Sequence, residues 1–518
     1  MIKAKKLLSL LLSCAMVIST FAGCTGKNQT TDGKSGTKTG GKQIIRIAQA
    51  SDVLSFDPHK INDFNTSTAL RHIYSTLVKL TPDNQIVGDL AESWKNIDEK
   101  TIEFKLRPNV KFHDGETLKA EDVKFSIERE MASSAARHMV KDVESMEVVD
   151  DLTVIMHLKK PSAPIFASLT YALSGILCKS HVEALEASGK TIDDKPNGTG
   201  QYKFGSYKSG DQTVLVKYDD YFGEKAANDQ LVLKIIPDGA ARTIALETGD
   251  VDIVNDVNFV DVNRIIENDK LDLINYPSTG FEHVLINNQK KPFDNVKVRQ
   301  ALNHAVERAS IIKVAANGQA VAADSYISSG AMGYSKNVTV YDYDIAKAKA
   351  LLAEAGYPDG FEASVLVFTD QRNRTAQVLQ ASFGEIGIKL TIESMEKGAF
   401  YEKTNVGNYD MAILGWTADA DPSEIFDGMW HSAALGETGN RQRYINPEVD
   451  KLLEEASAEM DMAKRLVTYE KIQQIITADA GVIPIYYLNG LIGRSKNVEG
   501  IVPFSIGSHR FEQAHFVK

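Results

Sequence analysis

Cysteine placement sets the first constraint on this chain. Of its three cysteines, Cys14 lies inside an apolar N-terminal segment, Cys24 follows that segment directly, and Cys178 stands alone in the body. The body therefore has no disulfide staple, and its stability has to come from buried apolar surface. A single hydrophobic core stops growing at roughly 250–300 residues. A chain of 518 residues is thus expected to divide into at least two lobes.

The first 23 residues combine Lys3, Lys5 and Lys6, an apolar stretch from Leu7 to Ile18, and small residues at the end. That is the layout of a secretory signal, and its apolar part is too short to span a bilayer. Phe21-Ala22-Gly23-Cys24 resembles a lipobox, which implies that Cys24 is acylated and becomes the new N-terminus. Residues 25–42 are rich in Gly, Thr, Ser and Lys without apolar periodicity, the composition of a flexible tether. Such a tether has an end-to-end distance of roughly 20–25 Å. No later run is long and apolar enough to cross a membrane, so the body is read as anchored by lipid on the extracytoplasmic face. The formal charge of −11 becomes −14 once the three lysines leave, which argues against a nucleic-acid partner.

The body alternates short apolar runs with helical patterns, the mark of an α/β fold. Ile44 to Gln49 reads as a strand, and a helix is expected from Thr66 to Leu80, where Leu70, Ile73, Tyr74 and Leu77 recur at helical spacing. Thr101 to Arg107 and Leu152 to Leu158 alternate as strands. Asp344, Asn446 and Asp461 stand where helix caps belong, ahead of helices 345–355, 447–456 and 462–478. Phe281 to Asn288 and Val482 to Leu488 read as the two strands that pass between lobes. Arg372 and Arg374 are placed in a loop before a helix from Thr375 to Ile386.

Four pieces in fixed order carry a resemblance. Asp89-Leu-Ala-Glu-Ser-Trp94, Phe104-Lys-Leu-Arg107, Lys111-Phe-His-Asp-Gly-Glu116 and Ala120-Glu-Asp-Val-Lys-Phe-Ser126 together resemble the signature of the family 5 extracellular solute-binding proteins, the peptide and nickel class of ABC importer receptors. The resemblance implies an α/β, two-lobed periplasmic-binding-protein-like (class II) fold with an additional inserted domain. It divides the chain into signal 1–23, lipidated cysteine and tether 24–42, lobe I from 43–81 plus 191–285 plus 486–518, inserted domain 82–190, and lobe II 286–485. His113 and Asp114 sit inside the signature, and the Asp-Gly that follows makes them a structural turn rather than a metal or acid/base pair.

The stretch Gly415-Trp-Thr-Ala-Asp-Ala-Asp-Pro422 follows the apolar run Met411 to Leu414 and reads as a buried strand ending in a loop. In open α/β sheets ligands meet the chain where strands end. Trp416 offers an aromatic face and Asp419 a charge, although each also has a plain structural reading as core and turn. Peptide-binding members of the resembled family carry Gly-Trp-x-x-Asp here, with the aspartate on the peptide's amino group, and Gly415, Trp416 and Asp419 match it. By the same resemblance, Gly415 to Thr417 on one lobe and Asn62, Asp63 and Phe64 on the other pair with an extended peptide backbone. The cation for its carboxyl end is Arg372 or Arg374.

The resemblance implies binding without chemistry, so no catalytic residue is expected. No His-Glu-x-x-His, Gly-x-Ser-x-Gly or cysteine pair is present, and the eleven histidines are scattered. Asp419 and Asp421 begin like a calcium loop, but Glu424 and Trp430 occupy its glycine and final-ligand positions. Neither metal nor cofactor is expected. The partners are a short peptide, an ABC permease with its ATPase subunits, and the membrane through the lipid, with the protein as a monomer. Two readings stay beside this one: the same receptor for an oligosaccharide, nickel chelate or other small nutrient, and a surface peptidase.

Overall fold

A computed structural model describes residues 42–436, 439–507 and 509–517. The signal segment, Cys24 and all but the last residue of the tether lie outside the described residues. Eight elements position the features discussed below. β1 is Ile44–Gln49, α1 Phe64–Ile73, β2 Leu271–Ile286, α2 Asp370–Glu385, β3 Met411–Thr417, α3 Pro422–Trp430, α4 Met462–Ala478 and β4 Val482–Ser495.

One sheet of 11 strands runs through the body. Its order is Lys389–Ser394, Glu362–Val367, β3, β2, β4, Ile253–Val254, β1, Gln230–Ile235, Gln212–Lys217 and Tyr202–Lys208, with Ala320–Ala322 attached to β4. β2 and β4 are antiparallel from Leu271↔Ser495 to Leu285↔Val482, with a break in register between Pro277 and Phe281 and a second shift between Glu282 and His283. Ser278 fills the first break, donating from its hydroxyl to the Leu488 carbonyl (2.6 Å) and accepting from Gly280 N (3.2 Å). On one side of the 277–281 break the sheet contains β3, and on the other it contains β1.

Each half is buried on both faces, as expected where parallel strands are covered by helices. In the β3 half, Phe426, Trp430, Tyr469 and Ile476 pack on one face, and Val298, Leu302, Leu379 and Phe383 on the other. In the β1 half, Ile45 and Ile47 pack with Leu70 and Leu231, while Ala48 packs with Leu246 and Ile265. β1 thus serves two cores by simple alternation. The C-terminal residues close this half. Asn228 Nδ2 donates to the carbonyls of Phe511 (3.0 Å) and Ala514 (2.9 Å), and Phe516 N donates to Gln43 Oε1 (3.1 Å).

A separate four-stranded sheet, ordered Ala91–Asp98, Thr101–Leu106, Thr153–Leu158, Val143–Asp150, lies within 82–190. Ile102, Phe104 and Leu106 alternate into a core of their own with Phe112 and Val123. The Lys111 to Glu116 segment turns at Gly115 (φ +96°), and Lys111 bridges to Thr117. His113 is fixed by the backbone of the glycine turn at 198–200, with Nε2 3.0 Å from Gly200 O and Gly198 N donating to Nδ1 at 3.3 Å. Burial lowers its pKa to about 4. Asp114 accepts from Asn197 Nδ2 at 2.7 Å. Both residues hold a turn in place.

Several expected elements differ. The helix expected over 66–80 starts at Phe64 and stops at Ile73, because Gly200 N takes the Ile73 carbonyl (2.9 Å) and the Tyr74 hydroxyl donates to Phe56 O (2.9 Å). Val78–Leu80 then pairs with Ile86–Gly88 as a small hairpin. Arg372 and Arg374 are not in a loop. Thr369 caps α2, its side chain accepting from Arg372 N, so both arginines fall in the first turns of the helix. The two crossing strands are longer than their apolar runs, since β2 begins at Leu271 and β4 continues to Ser495.

Candidate functional site

β3 brings the Gly415 to Pro422 stretch to the edge of a large cavity. Met411 to Leu414 are buried, and β3 pairs with β2 along its length, from Met411↔Ile286 to Thr417↔Gly280. On its other side, the parallel ladder with Glu362–Val367 pairs only Met411 and Ala412. Gly415, Trp416 and Thr417 therefore carry ladder partners on one side. Gly415 has no room for a side chain: a Cβ would meet the Glu282 carboxylate and lie 3.3 Å from Arg372 Nη2.

The strand ends at Thr417, and a short loop, 418–421, leads into α3. Asp421 caps α3 by accepting from Ser423 N (2.9 Å), and Pro422 takes the first helical position, where a missing N–H costs nothing. The same carboxylate forms a two-pronged ion pair with Arg465 of α4, at 2.7 Å on each oxygen. Arg465 is fully buried and also donates to Ala456 O (2.9 Å) and the Tyr469 hydroxyl (3.3 Å). Asp421 is thus committed to anchoring the turn. Ala418 and Ala420 on either side of Asp419 are buried, and Asp419 lines the cavity between them.

The cavity encloses about 920 Å³. One wall carries Asn62 and residues from 138–142 and 160–171, and the other carries Asp419, α3 and residues from 453–458. Ala163 N donates to Ser457 O across it at 3.2 Å. The Tyr171 hydroxyl accepts from Ala420 N (3.3 Å) and stands beside the Asp419 carboxyl. Burial raises the Asp419 pKa, the Tyr171 hydroxyl and the nearby His138 lower it, and the charge of Asp421 raises it again.

Two more carboxyls stand three residues apart on α3 and share this wall. Burial and the Asp419 charge push Glu424 up to about 7, while the Trp416 indole N–H donates to it at 3.1 Å. Burial pushes Asp427 up to about 6; the Ser457 hydroxyl donates to its Oδ2 (3.1 Å), and its Oδ1 is buried without a hydrogen-bond partner. A carboxylate has about four acceptor sites, so this wall can take an ammonium and satisfy several of its protons.

Other candidate residues lie elsewhere. Trp416 is not a cavity wall: its ring packs against Gly428, where a Cβ would come within 3.0 Å, and Gly439. Thr417 is exposed at the end of β3. Asn62 is exposed to the cavity, but Asp63 is the cap of α1, accepting from Thr66 N at 2.8 Å, and Phe64 opens that helix. Phe64 instead lines a smaller cavity of about 230 Å³ with Tyr276 and His509. Asp63 keeps an extended backbone (φ −141°, ψ 138°), whereas Phe64 is already helical.

Arg372 pairs with Glu282 through Nε and, at 3.3 Å, through Nη2, and its guanidinium lies 4.6 Å over the Phe368 ring. Neither it nor the exposed Arg374 lines the large cavity. Sequence reasoning missed Tyr171, Glu424 and Asp427. The last two carried a signal, because residues three apart after an Asp-Pro helix start face the same way.

The sequence profile of the bacterial extracellular solute-binding proteins, family 5 Middle, matches residues 85–437. The dipeptide-binding protein of Escherichia coli K12 is 30% identical over 471 residues, covering 85% of this chain and 88% of that one. Among solved structures, HbpA2 of Haemophilus parasuis is 27% identical with a TM-score of 0.86, over 92% of this chain and 100% of that one. The binding protein DppA of Helicobacter pylori, in complex with the peptide STSA, is 31% identical with a TM-score of 0.73, over 92% and 99%.

Proposed function

This chain belongs to family 5 of the bacterial extracellular solute-binding proteins, and we propose that its cargo is short peptides, held by their amino group at Asp419. The observation that carries the reading is the Asp419 carboxyl, which lines the large cavity beside the Tyr171 hydroxyl and the carboxyls of Glu424 and Asp427. Asp419 makes no ion pair among the described residues, and a ligand ammonium would supply both charge and donors. The one-sided edge at Gly415 to Thr417 offers main-chain groups to an extended ligand, as in strand addition. Relatives named for dipeptide binding and the complex with STSA point to the same cargo.

The remaining roles follow from that reading. Two lobes meet at β2 and β4, residues 82–190 form the inserted domain, and closure over the peptide needs no covalent step. Acylated Cys24 holds the monomeric body outside the membrane, where it delivers cargo to an ABC permease driven by ATPase subunits. The test is calorimetric titration of a tripeptide into wild-type protein and the Asp419→Asn variant. Removing one partner of a buried charge pair costs about 2–5 kcal/mol, so the variant is expected to bind at least 30-fold more weakly. Wild-type protein is also expected to refuse the N-acetylated peptide. Equal affinities across these pairs sink the amine assignment.

A further inference from the structure

The smaller cavity, of about 230 Å³, lies where three parallel strands of the β1 half end. Gln230–Ile235, β1 and Ile253–Val254 are neighbours in the sheet and run the same way, with Ile47 beside Ile253 and Ala48 beside Val254. Asn255 N still donates to Ala48 O (3.4 Å), so the register continues to Gln49 and Asn255. These two residues therefore stand side by side on one face of neighbouring strands, whose backbones lie about 4.8 Å apart. Ligands in open α/β sheets gather at such carboxyl ends. Phe64 and Tyr276 add aromatic walls.

Three side chains that line this cavity, Gln49, Asn255 and Arg242, are only 3%, 8% and 4% exposed. Each leaves one buried polar atom without a hydrogen-bond partner among the described residues: Gln49 Oε1, Asn255 Oδ1 and Arg242 Nε. The Gln49 amide is oriented by its nitrogen, which donates to Ser51 O (2.9 Å) and leaves the oxygen over. Arg242 spends Nη1 on the carbonyls of Ile236 (3.0 Å) and Pro237 (2.9 Å) and Nη2 on that of Asp256 (3.3 Å). Those carbonyls follow the strands on either side of β1, so the guanidinium reaches across the end of β1. Ile236 N in turn donates to Gln49 O (2.9 Å). Leaving a buried donor or acceptor unpaired costs free energy. Here two acceptors and one donor are left so around a single cavity.

We propose that this cavity takes a primary carboxamide. That group carries two N–H donors on one nitrogen and one carbonyl acceptor, the complement of what the three side chains leave open. Its two N–H bonds, about 120° apart, reach acceptors roughly 5 Å from each other, close to the spacing of neighbouring strands. Its carbonyl accepts from Arg242 Nε. A carboxylate has no donor for the two amide oxygens, and an ammonium has no acceptor for Arg242. The group has two sources, the side chain of a glutamine or asparagine in a bound peptide and the free amino acid. Asn62 lines the large cavity and Phe64 the smaller one, and two residues of chain span at most about 7 Å. A ligand in the large cavity thus has the smaller one within a side chain's reach. The peptide source rests on the peptide reading above; capture of the carboxamide does not.

The experiment is calorimetric titration of wild-type protein and the Asn255→Leu and Gln49→Met variants. The probes are alanine tripeptides with glutamine at each position in turn, their glutamate counterparts, and free L-glutamine and L-glutamate. Wild type is expected to prefer glutamine to glutamate at one peptide position by at least tenfold, because glutamate leaves the two amide oxygens unpaired. Both variants are expected to bring that ratio close to one, and a ratio of affinities is insensitive to a general loss of folded protein. Binding of free L-glutamine but not L-glutamate, lost in both variants, supports the cavity with the free amino acid as its source. If wild type binds peptides without this preference and takes no free L-glutamine, the cavity holds water alone and the inference is overturned while the peptide reading stands. A preference that persists in both variants overturns it as well. If no peptide binds, the peptide reading fails, and the free amino acids alone decide the carboxamide assignment.

Discussion

The acidic wall of α3 has a measurable cost in stability, and Glu424→Gln isolates it. The Glu424 carboxyl titrates at about 7 instead of the ordinary 4.5. Each unit is worth about 1.4 kcal/mol, so the charged form is penalised by about 3 kcal/mol in the folded protein. The folded state binds this proton more tightly than the unfolded chain. The stability it contributes is therefore complete below the unfolded value and is lost as pH rises through about 7.

Glutamine keeps an oxygen to accept from the Trp416 indole but does not titrate. The two proteins are expected to be about equally stable at pH 5, where Glu424 is protonated in the folded state. Between pH 5 and 8 wild type is expected to lose about 3 kcal/mol more than the variant. Urea unfolding at the two pH values, followed by tryptophan fluorescence, reads this difference. Saturating peptide should narrow it, because a bound ammonium stabilises the charged carboxylate. The same pH dependence in both proteins, without peptide, refutes the argument.

Other outcomes follow from the anchoring contacts. Arg465→Met leaves Asp421 unpaired at the start of α3, and Asp421→Ala leaves Arg465 buried and charged; each is expected to cost about 3–5 kcal/mol. The double variant should recover much of that loss in chemical denaturation, and additive losses would show that the pair does not act as a unit. Asn228→Ala frees the carbonyls of Phe511 and Ala514, so limited proteolysis should cut the C-terminal segment well before the rest of the body. Cleavage at the wild-type rate would mean that this amide does not hold the segment.

Local chemistry was legible in the sequence wherever the deciding contact was also local. Asp344, Asn446 and Asp461 cap helices as their position implies, and the helix from Met462 to Ala478 has the expected ends. Long-range contacts decided the rest. The helical spacing of Tyr74 and Leu77 continues past Ile73, yet the glycines at 198 and 200 press on the carbonyls of His72 and Ile73 and stop the helix there. The apolar run Val482 to Leu488 continues as strand to Ser495, passing Gly490 where Tyr276 lies directly on the backbone.

The site followed the same division. Asp419 and its strand were legible because they sit within a few residues of each other. Tyr171 lies almost 250 positions away and reaches Asp419 only once the chain is folded. Glu282 could not be matched to Arg372 without the pairing of β2 with β3, which places Glu282 opposite Gly415.

The crossing strands also set an order of assembly during synthesis. Everything in the β3 half lies in one continuous run, residues 281–487, and is complete before the second part of β4 is made. The β1 half is begun first and finished last. Ile253 and Val254 wait for Gly493 and Arg494, and Asn228 waits for the segment at 511–514. Until those residues emerge, the β1 half exposes an unpaired strand edge, a ready template for pairing with another chain. A nascent chain that stalls near residue 490 thus carries one finished half and one open half. The contacts of Gly493, Arg494 and the segment at 511–516 then close the open half.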